Sequence, residues 1–581
     1  MAVFKPFDEP FPQFNSPTYG DLMFDKTWSV LPAPPADFAG SIGMPELHAR
    51  LLYNRGIQKA EDIAAYLAGD CQLHHDPMLL PDMAEAVARI KLAIDRNETV
   101  GVYGDFDADG ITGTAALTLA LREVGLEVVP YLPDRKDEGH GLNRQALEHL
   151  RGRGVSLLIT VDCGANDVDE IGAASSLQID TIVTDHHTIK SDLPEACAVI
   201  NPQRSDSSYP YPHLTGVGMS FKLCEALYSA LGMPWPEHLL ELVALGTVAD
   251  VGPLTGENRF FVKSGLERLN SSRNPGIQAL VSRASLKLGS LTTESLSFGL
   301  IPRINVAGRL GDPYVSLQLL TTSSPAEAVA LAEVLEQKNH ERQALTSKGV
   351  RVALTQVPSM LSDVPAIIFV GSRDWNPGIL GLIASRLVDQ YYRPVVAVGV
   401  GDDVSRASAR SIPEFDIVGA LHNSGELFLR FGGHPQAAGF TIPTASLAPL
   451  KRRLEIEAAS ALQGKDLAPS IQIDCEAEIS QVVGAFSFIQ SLSPFGERNP
   501  APVFLSRGAK VVEARQVGGQ RTHLKLTVSQ GGAVLDAIAF GHGSRLSEAR
   551  NAIDIVYSVG LDTWGARPKM QLTVSDFRQS H

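Results

Sequence analysis

The sequence predicts an α/β protein in several parts: a parallel-sheet domain, a long connecting helix, a smaller α/β domain and a C-terminal β-barrel. Strand-length apolar runs alternate with helix-periodic segments from about residue 97 to 320 and again from about 351 to 462, as βαβ units require. Between them, SPAEAVALAEVLEQKNHERQALTSKGV opens on Ser-Pro and, after Pro325, has no Gly or Pro until Gly349, so residues 324–350 read as one helix. The last hundred residues alternate short strands (IQIDCEAEI, THLKLTV, VLDAIAF, DIVYSVGLDT, KMQLTVSDF) with Gly-rich turns, which suits a small barrel. A chain of 581 residues is too long for one core, and the expected divisions are 1–96, 97–323, 324–350, 351–465 and 466–581.

The first forty residues, rich in Pro and aromatic residues (LPAPPADF), read as an extended strap without its own core. Residues 44–96 show helical periodicity, with Leu47, Leu51 and Leu52 on one face and Met83 to Ile94 forming a second amphipathic stretch. No run approaches the ~20 apolar residues of a membrane span, and MAVFKPFDEPFPQF lacks the basic and apolar regions of a signal peptide, so a cytoplasmic location without membrane contact is expected. Five cysteines without CxxC spacing point to reduced thiols. Cys71, His74 and His75 hint at zinc, but no second ligand pair lies nearby. A net charge of −15 argues against broad coating of duplex nucleic acid and leaves room for a narrow basic groove.

The chemistry concentrates at strand ends. In GVYGDFDADGITGTAAL, Asp105, Asp107 and Asp109 sit between a strand-like run and a helix-like one, where open α/β sheets bind ligands. Three carboxylates that close cannot all stay ionised without a cation. A calcium loop of the EF-hand type is excluded, because its twelfth position is Ala116 and a strand precedes it. Three more apolar runs end in ligand-type residues: 156–161 in Asp162, 179–184 in Asp185-His186-His187, and LLELVALGTVAD in Asp250. Singly, each aspartate could be a helix cap and the histidines a hydrogen-bonded loop. Together, five carboxylates and an imidazole are what two divalent ions ~3.5–4 Å apart would need.

DFDADG, VDCG, TDHH and GTVADVGPL, in this order and spacing, resemble motifs I to IV of the DHH phosphoesterases. The resemblance reaches most of the chain, because LHHDPMLLPDMAEAVARI, RINVAGRLGD, QKNHERQ, WNPGILGLIASRL, SARSIPEFD, RFGGHPQAAGF and SPFGERNPAPVF are similar to segments of that family's single-strand exonucleases. It implies a DHH domain, a DHH-associated domain and an OB-like barrel. It also implies that Asp105 and Asp107 hold one ion, that Asp109, His186 and Asp250 hold the other, and that Asp162 bridges them. Asp162, His186 and His187 would be catalytic, with His187 facing the scissile phosphate. An imidazole among oxygen ligands favours Mn²⁺, with Mg²⁺ as the alternative. Arg303, Asn305, Arg309, Ser408, Arg410, Ser411, Gly432, Gly433 and His434 would bind substrate, since glycines let a backbone approach an anion and Arg and hydroxyl groups donate to phosphate. Two departures stand out: Trp375-Asn376 where the family usually has Trp-His, and Gly139-His140-Gly141-Leu142 where it has Gly-Tyr-Gly-Leu.

The resemblance implies a metal-dependent exonuclease that releases mononucleotides 5′→3′ from single-stranded DNA in recombination and repair. It implies a monomer, with single-strand-binding protein and a RecQ-type helicase as partners. The alternatives are a DHH phosphodiesterase or pyrophosphatase on a small nucleotide, which would leave the N-terminal region and the barrel unexplained, and a noncatalytic single-strand scaffold, which would not need every ligand position filled.

Overall fold

A computed structural model of the chain describes residues 26–135, 137–190, 192–358, 364–562 and 568–580. The first α/β domain is built on a five-stranded, all-parallel sheet in the order Glu127–Tyr131, Thr99–Tyr103, Val155–Val161, Asp180–Thr184, Ala198–Ile200. Chain direction across the sheet reverses between Thr99–Tyr103 and Val155–Val161, and the crevice beyond their carboxyl ends is where such sheets bind ligands. The strands are near-continuous apolar runs because both faces are covered. Helices Ala108–Glu123, Gly216–Ala230 and Leu240–Ala249 lie on one face, and Arg144–Gly152 and Val168–Ser176 on the other.

Helix Met83–Arg96 buries Met83, Ala86, Val87, Ile90 and Ala93 in this same core, so the division expected at 96/97 cuts through a packed unit. The predicted connecting helix spans Pro325–Leu354, four residues beyond its expected end. The Ser324 hydroxyl accepts from the Glu327 N–H as its N-cap. Ala328, Ala332 and Leu335 join the core of the first domain, and Val350 and Ala353 join that of the second. At ~1.5 Å per residue the helix is a strut of about 45 Å anchored at both ends.

The second α/β domain has the strand order Arg430–His434, Ala437–Pro443, Val404–Arg410, Val395–Gly399, Ile368–Ser372, and among these only the last two pair in parallel. In the barrel, Phe504–Val517, His523–Gln530, Ala533–Ala539, Lys569–Gln579 and Ala552–Asp562 pair in turn, and the last returns to Phe504–Val517 to close it.

Of the expected strap, residues 1–25 lie outside the described residues. The remainder includes the strand Thr27–Val30, which pairs in parallel with Ser470–Ile473. Leu51, Leu52 and Tyr66 from the helices that follow are buried in the core of the barrel. Arg259 of the first domain, fully buried, donates to the carbonyls of Tyr66, Leu492 and Ser493 and so pins both pieces to it.

Candidate metal centre

Each expected metal ligand lies at the carboxyl edge of the first sheet. Asp107 ends its loop as the N-cap of helix Ala108–Glu123, with Oδ1 accepting the N–H groups of Asp109 (2.9 Å) and Gly110 (3.2 Å). A carboxylate there has the right sign for the helix dipole. Asp109, in the first turn of that helix and buried, accepts from Gly216 N (2.7 Å) and Val217 N (2.9 Å) at the start of another helix. Asp162 follows the strand Val155–Val161 with φ of 62°, a strained position for a non-glycine residue of the kind found at functional sites. Asp250 caps the carboxyl end of helix Leu240–Ala249, where a negative charge opposes the dipole, so helix stability does not explain it.

The ligand atoms gather in three overlapping groups, each within 4.8 Å: Asp105, Asp107 and Asp162; Asp109, His186 and Asp250; and Asp162, His186 and His187. The His186 Nε2 lies 3.0 Å from Asp162 Oδ1 and 3.8 Å from Asp250 Oδ2. Burial and then mutual repulsion push Asp109 up to about 7 and raise Asp107 and Asp162, while burial alone raises Asp250 against the nearby histidines. The buried Asp105 Oδ1 has no hydrogen-bond partner among the described residues. Orphaned, mutually repelling oxygens beside an imidazole fit a hard or borderline divalent cation.

Asp185, at the end of the strand Asp180–Thr184, stands in the sequence beside His186 and His187 without an assigned role. It is buried, and its Oδ1 accepts from His187 Nδ1 at 2.7 Å. Burial alone would raise Asp185, but the bond to His187, the two imidazoles and the Ala165 N–H outweigh it and hold it at about 2. Burial would likewise lower His187, yet Asp185 and then Asp162 raise it to about 9.

Arg135 also escaped the sequence reading. Its guanidinium lies 4.1 Å over the ring of the buried Phe106, and its buried Nε has no hydrogen-bond partner among the described residues. Desolvation lowers its pKa while Asp105 and Asp107 hold it up, which places this cation beside the acids. Only the folded loop brings Arg135 there, so no local pattern could have revealed it.

Across the cleft, Arg410 Nη1 donates to Ser408 Oγ at 3.1 Å, and Gly381 leaves room for the guanidinium, since a Cβ there would lie 2.8 Å from Nη2. Arg309 donates to Gly378 O at 3.2 Å. Burial first, then Arg135, Arg342 and Arg410, lower Arg309 to about 9, so these guanidiniums converge on one region. Gly433 sits in the hairpin Arg430–His434/Ala437–Pro443, Gly432 has open space above it, and His434 opposes the rise at Asp250 across the cleft.

Three expected substrate contacts are engaged elsewhere. Arg303 forms a bidentate ion pair with Glu336, which matches its charge and fastens the connecting helix to the first domain. Ser411 is buried and donates to Phe415 O at 2.6 Å, shaping a turn. Asn305 Oδ1 accepts from Ala108 N at 2.9 Å, so Asn305 supports the aspartate loop. Asn376, the first departure, caps Gly378 N at 2.8 Å and thereby sets the carbonyl that Arg309 reaches. The zinc hint dissolves: His74 belongs to a buried ion cluster with Glu225 and Lys222, and no metal-ligating group among the described residues includes Cys71.

Comparison with known proteins agrees with this geometry. Residues 99–247 match the DHH family N-terminal domain, 363–459 the DHHA1 domain and 473–576 the RecJ OB domain. The RecJ of Bacillus subtilis is 36% identical over 536 residues, covering 91% of this chain and 67% of that protein. The chain belongs to the RecJ family. The Escherichia coli RecJ is 32% identical, over 92% of this chain and 96% of its own length. Among solved structures, Thermus thermophilus RecJ in complex with Mn²⁺ superposes with a TM-score of 0.80 at 30% identity, covering 96% of this chain and 80% of that one. The same RecJ is described in complex with Mg²⁺, with a TM-score of 0.76. The DHH, DHH-associated and OB-like architecture expected from the sequence is therefore present, and among the described residues no helix is long and apolar enough to cross a membrane.

Proposed function

We propose that this RecJ-family protein is a divalent-metal-dependent exonuclease that removes mononucleotides from the 5′ end of single-stranded DNA. The observation that carries this reading is the overlap of three ligand groups on Asp162 and His186, beside a group of guanidiniums made of Arg135 and Arg309 from the first domain, Arg342 from the connecting helix and Arg410 from the second domain. We assign Asp105, Asp107 and Asp162 to one cation and Asp109, His186 and Asp250, with Asp162 shared, to a second. When bound, such ions supply an activated water and neutralise charge at the attacked phosphorus.

The protein's own groups do the rest. Asp185 fixes the His187 ring and keeps it cationic, so its Nε2–H is available to the scissile phosphate or to the departing 3′ oxygen. Arg135, desolvated and lacking a hydrogen-bond partner at Nε, is placed to donate to the same phosphate. Arg410, Ser408 and the backbone at Gly432 and Gly433 hold the terminal nucleotide's phosphate from the other side, and Arg309 backs them. The barrel extends the track for single strands.

The family suggests work in the cytoplasm, as a monomer, on strands exposed during recombination and repair, with single-strand-binding protein and a RecQ-type helicase as partners. The chain is incubated with Mn²⁺ and oligonucleotides labelled at either end, single-stranded or duplex. Mononucleotides from the 5′ end of single strands are the expected product. Activity only on dinucleotides or pyrophosphate would overturn the reading.

A further inference from the structure

Residues 139–141 form a turn in which two glycines flank an imidazole, and both glycines have φ of 84°. That backbone region disfavours side chains, and at Gly141 space opposes them as well. A Cβ on Gly141 would lie 2.7 Å from Asp167 Oδ1, and one on Gly139 would lie 3.1 Å from Arg430 Nη1. The turn thus presents a single side chain, His140.

His140 is tied down at three points, two through its ring and one through its carbonyl. Its ring packs on Phe106 at 4.3 Å between centroids, and its Nδ1 lies 3.2 Å from Asp105 Oδ2. An ionised carboxylate can only accept, so the imidazole is the donor. The His140 carbonyl accepts from Arg430 Nη2 at 3.0 Å, and Arg430 belongs to the strand of the second lobe that carries Gly432 and Gly433. With Oδ2 taken by His140, the oxygen of Asp105 left for a cation is the buried, unpartnered Oδ1.

We propose that His140 is a positioning residue of the metal centre: its Nδ1–H fixes the Asp105 carboxylate so that Oδ1 faces the cation shared with Asp107 and Asp162. The proposal rests on the reading of these carboxylates as metal ligands. Groups that orient a ligand in this way commonly set metal affinity as strongly as they set turnover.

Two substitutions separate the N–H from the ring. His140→Phe keeps an aromatic ring over Phe106 and cannot donate. His140→Asn gives up the ring and places an amide N–H near the position of Nδ1. The side chain is 64% exposed, so both variants should fold, which melting by circular dichroism checks.

Mn²⁺ is titrated into the full-length protein without DNA and followed by calorimetry. His140→Phe should weaken Mn²⁺ binding by about 10- to 100-fold, whereas His140→Asn should stay within about threefold of the parent. At saturating Mn²⁺, KM for single-stranded DNA should be unchanged in both. Unaltered Mn²⁺ affinity in His140→Phe would overturn the proposal. Equal losses in the two variants would also overturn it, by assigning the effect to the ring. Asp107→Ala is the control: if it too binds Mn²⁺ normally, the metal-centre reading itself fails, whereas a loss there beside a normal His140→Phe removes only the positioning role.

Discussion

His187 Nδ1 donates to Asp185 Oδ1 at 2.7 Å, and the same oxygen accepts the backbone N–H groups of His186 and His187. One buried carboxylate therefore holds the backbone at His186 and His187 and sets both the orientation and the charge of the His187 imidazole.

Asp185→Asn should lower kcat/KM on single-stranded DNA by about 10- to 100-fold, as loss of an orienting partner does. In chelator, the pair contributes stability because the folded pKa of His187 is raised to about 9. That contribution is fully present below about 6.5 and is lost as pH rises through about 9. The melting difference between the parent and Asp185→Asn should therefore be large at pH 6 and small at pH 10. A pH-independent difference would sink the assignment.

Asp162→Asn should reduce turnover by at least roughly 10³-fold with the fold intact. Asparagine tolerates the left-handed backbone at this position, so strain does not confuse the result. Burial and the neighbouring acids raise Asp162, so its ionised form costs folding free energy as pH rises above about 4. In chelator at pH 8, the variant should melt higher than the parent by a few degrees, and Mn²⁺ should then stabilise the parent more.

Arg410→Ala should leave Mn²⁺ affinity unchanged while lowering kcat/KM on single-stranded DNA by roughly 10²-fold, because a charged hydrogen bond at a reacting end is worth a few kcal/mol in positioning. Calorimetry and steady-state rates together decide it. Weaker Mn²⁺ binding would put Arg410 on the wrong side of the division of labour.

Single-strand affinity should fall with salt at a log–log slope of roughly −3 to −4 if four to six phosphates are neutralised. This is expected despite the net charge of −15, because the guanidiniums around Arg309 are local. Fluorescence anisotropy across a salt series measures it, and a flat line would exclude a basic groove.

Lys222 is fully buried and pairs with Glu225 (2.9 Å) and Glu257 (3.0 Å). Lys222→Met would leave Glu257 in the interior without its nearest cation and Glu225 with His74 alone, at a cost of about 3–5 kcal/mol. Burial alone would raise Glu225, but His74 and Lys222 hold it low, so its contribution is present above about 4.5 and lost as pH falls. Denaturation should show the deficit of the variant shrinking as pH approaches 4.

The clustering of these acids and imidazoles was legible because Asp105, Asp162 and His186 follow apolar runs, and a parallel sheet brings the ends of its strands to one edge. Asp105, Asp162 and His186 needed no more than that. Arg135 was not legible, nor was the role of Asp185, because both meanings come from what the fold sets beside them: the face of Phe106 and the ring of His187. Arg303 misled for the complementary reason, since a sequence shows a charge and not the Glu336 that neutralises it. The partnership of Leu51 and Leu52 with the barrel spans more than 400 residues of chain and leaves no local trace.

That distant partnership makes the molecule a closed hoop, with the strand Thr27–Val30 as its clasp on Ser470–Ile473. Cutting the chain after the connecting helix would open the hoop and strip Leu51, Leu52 and Tyr66 of their burial. A fragment made that way would report on a wounded first lobe and not on a lobe set free. The lobes are better separated by point substitution, and the helices carrying Leu51, Leu52 and Tyr66 must wait for a barrel made more than 400 residues later before they find their place during synthesis.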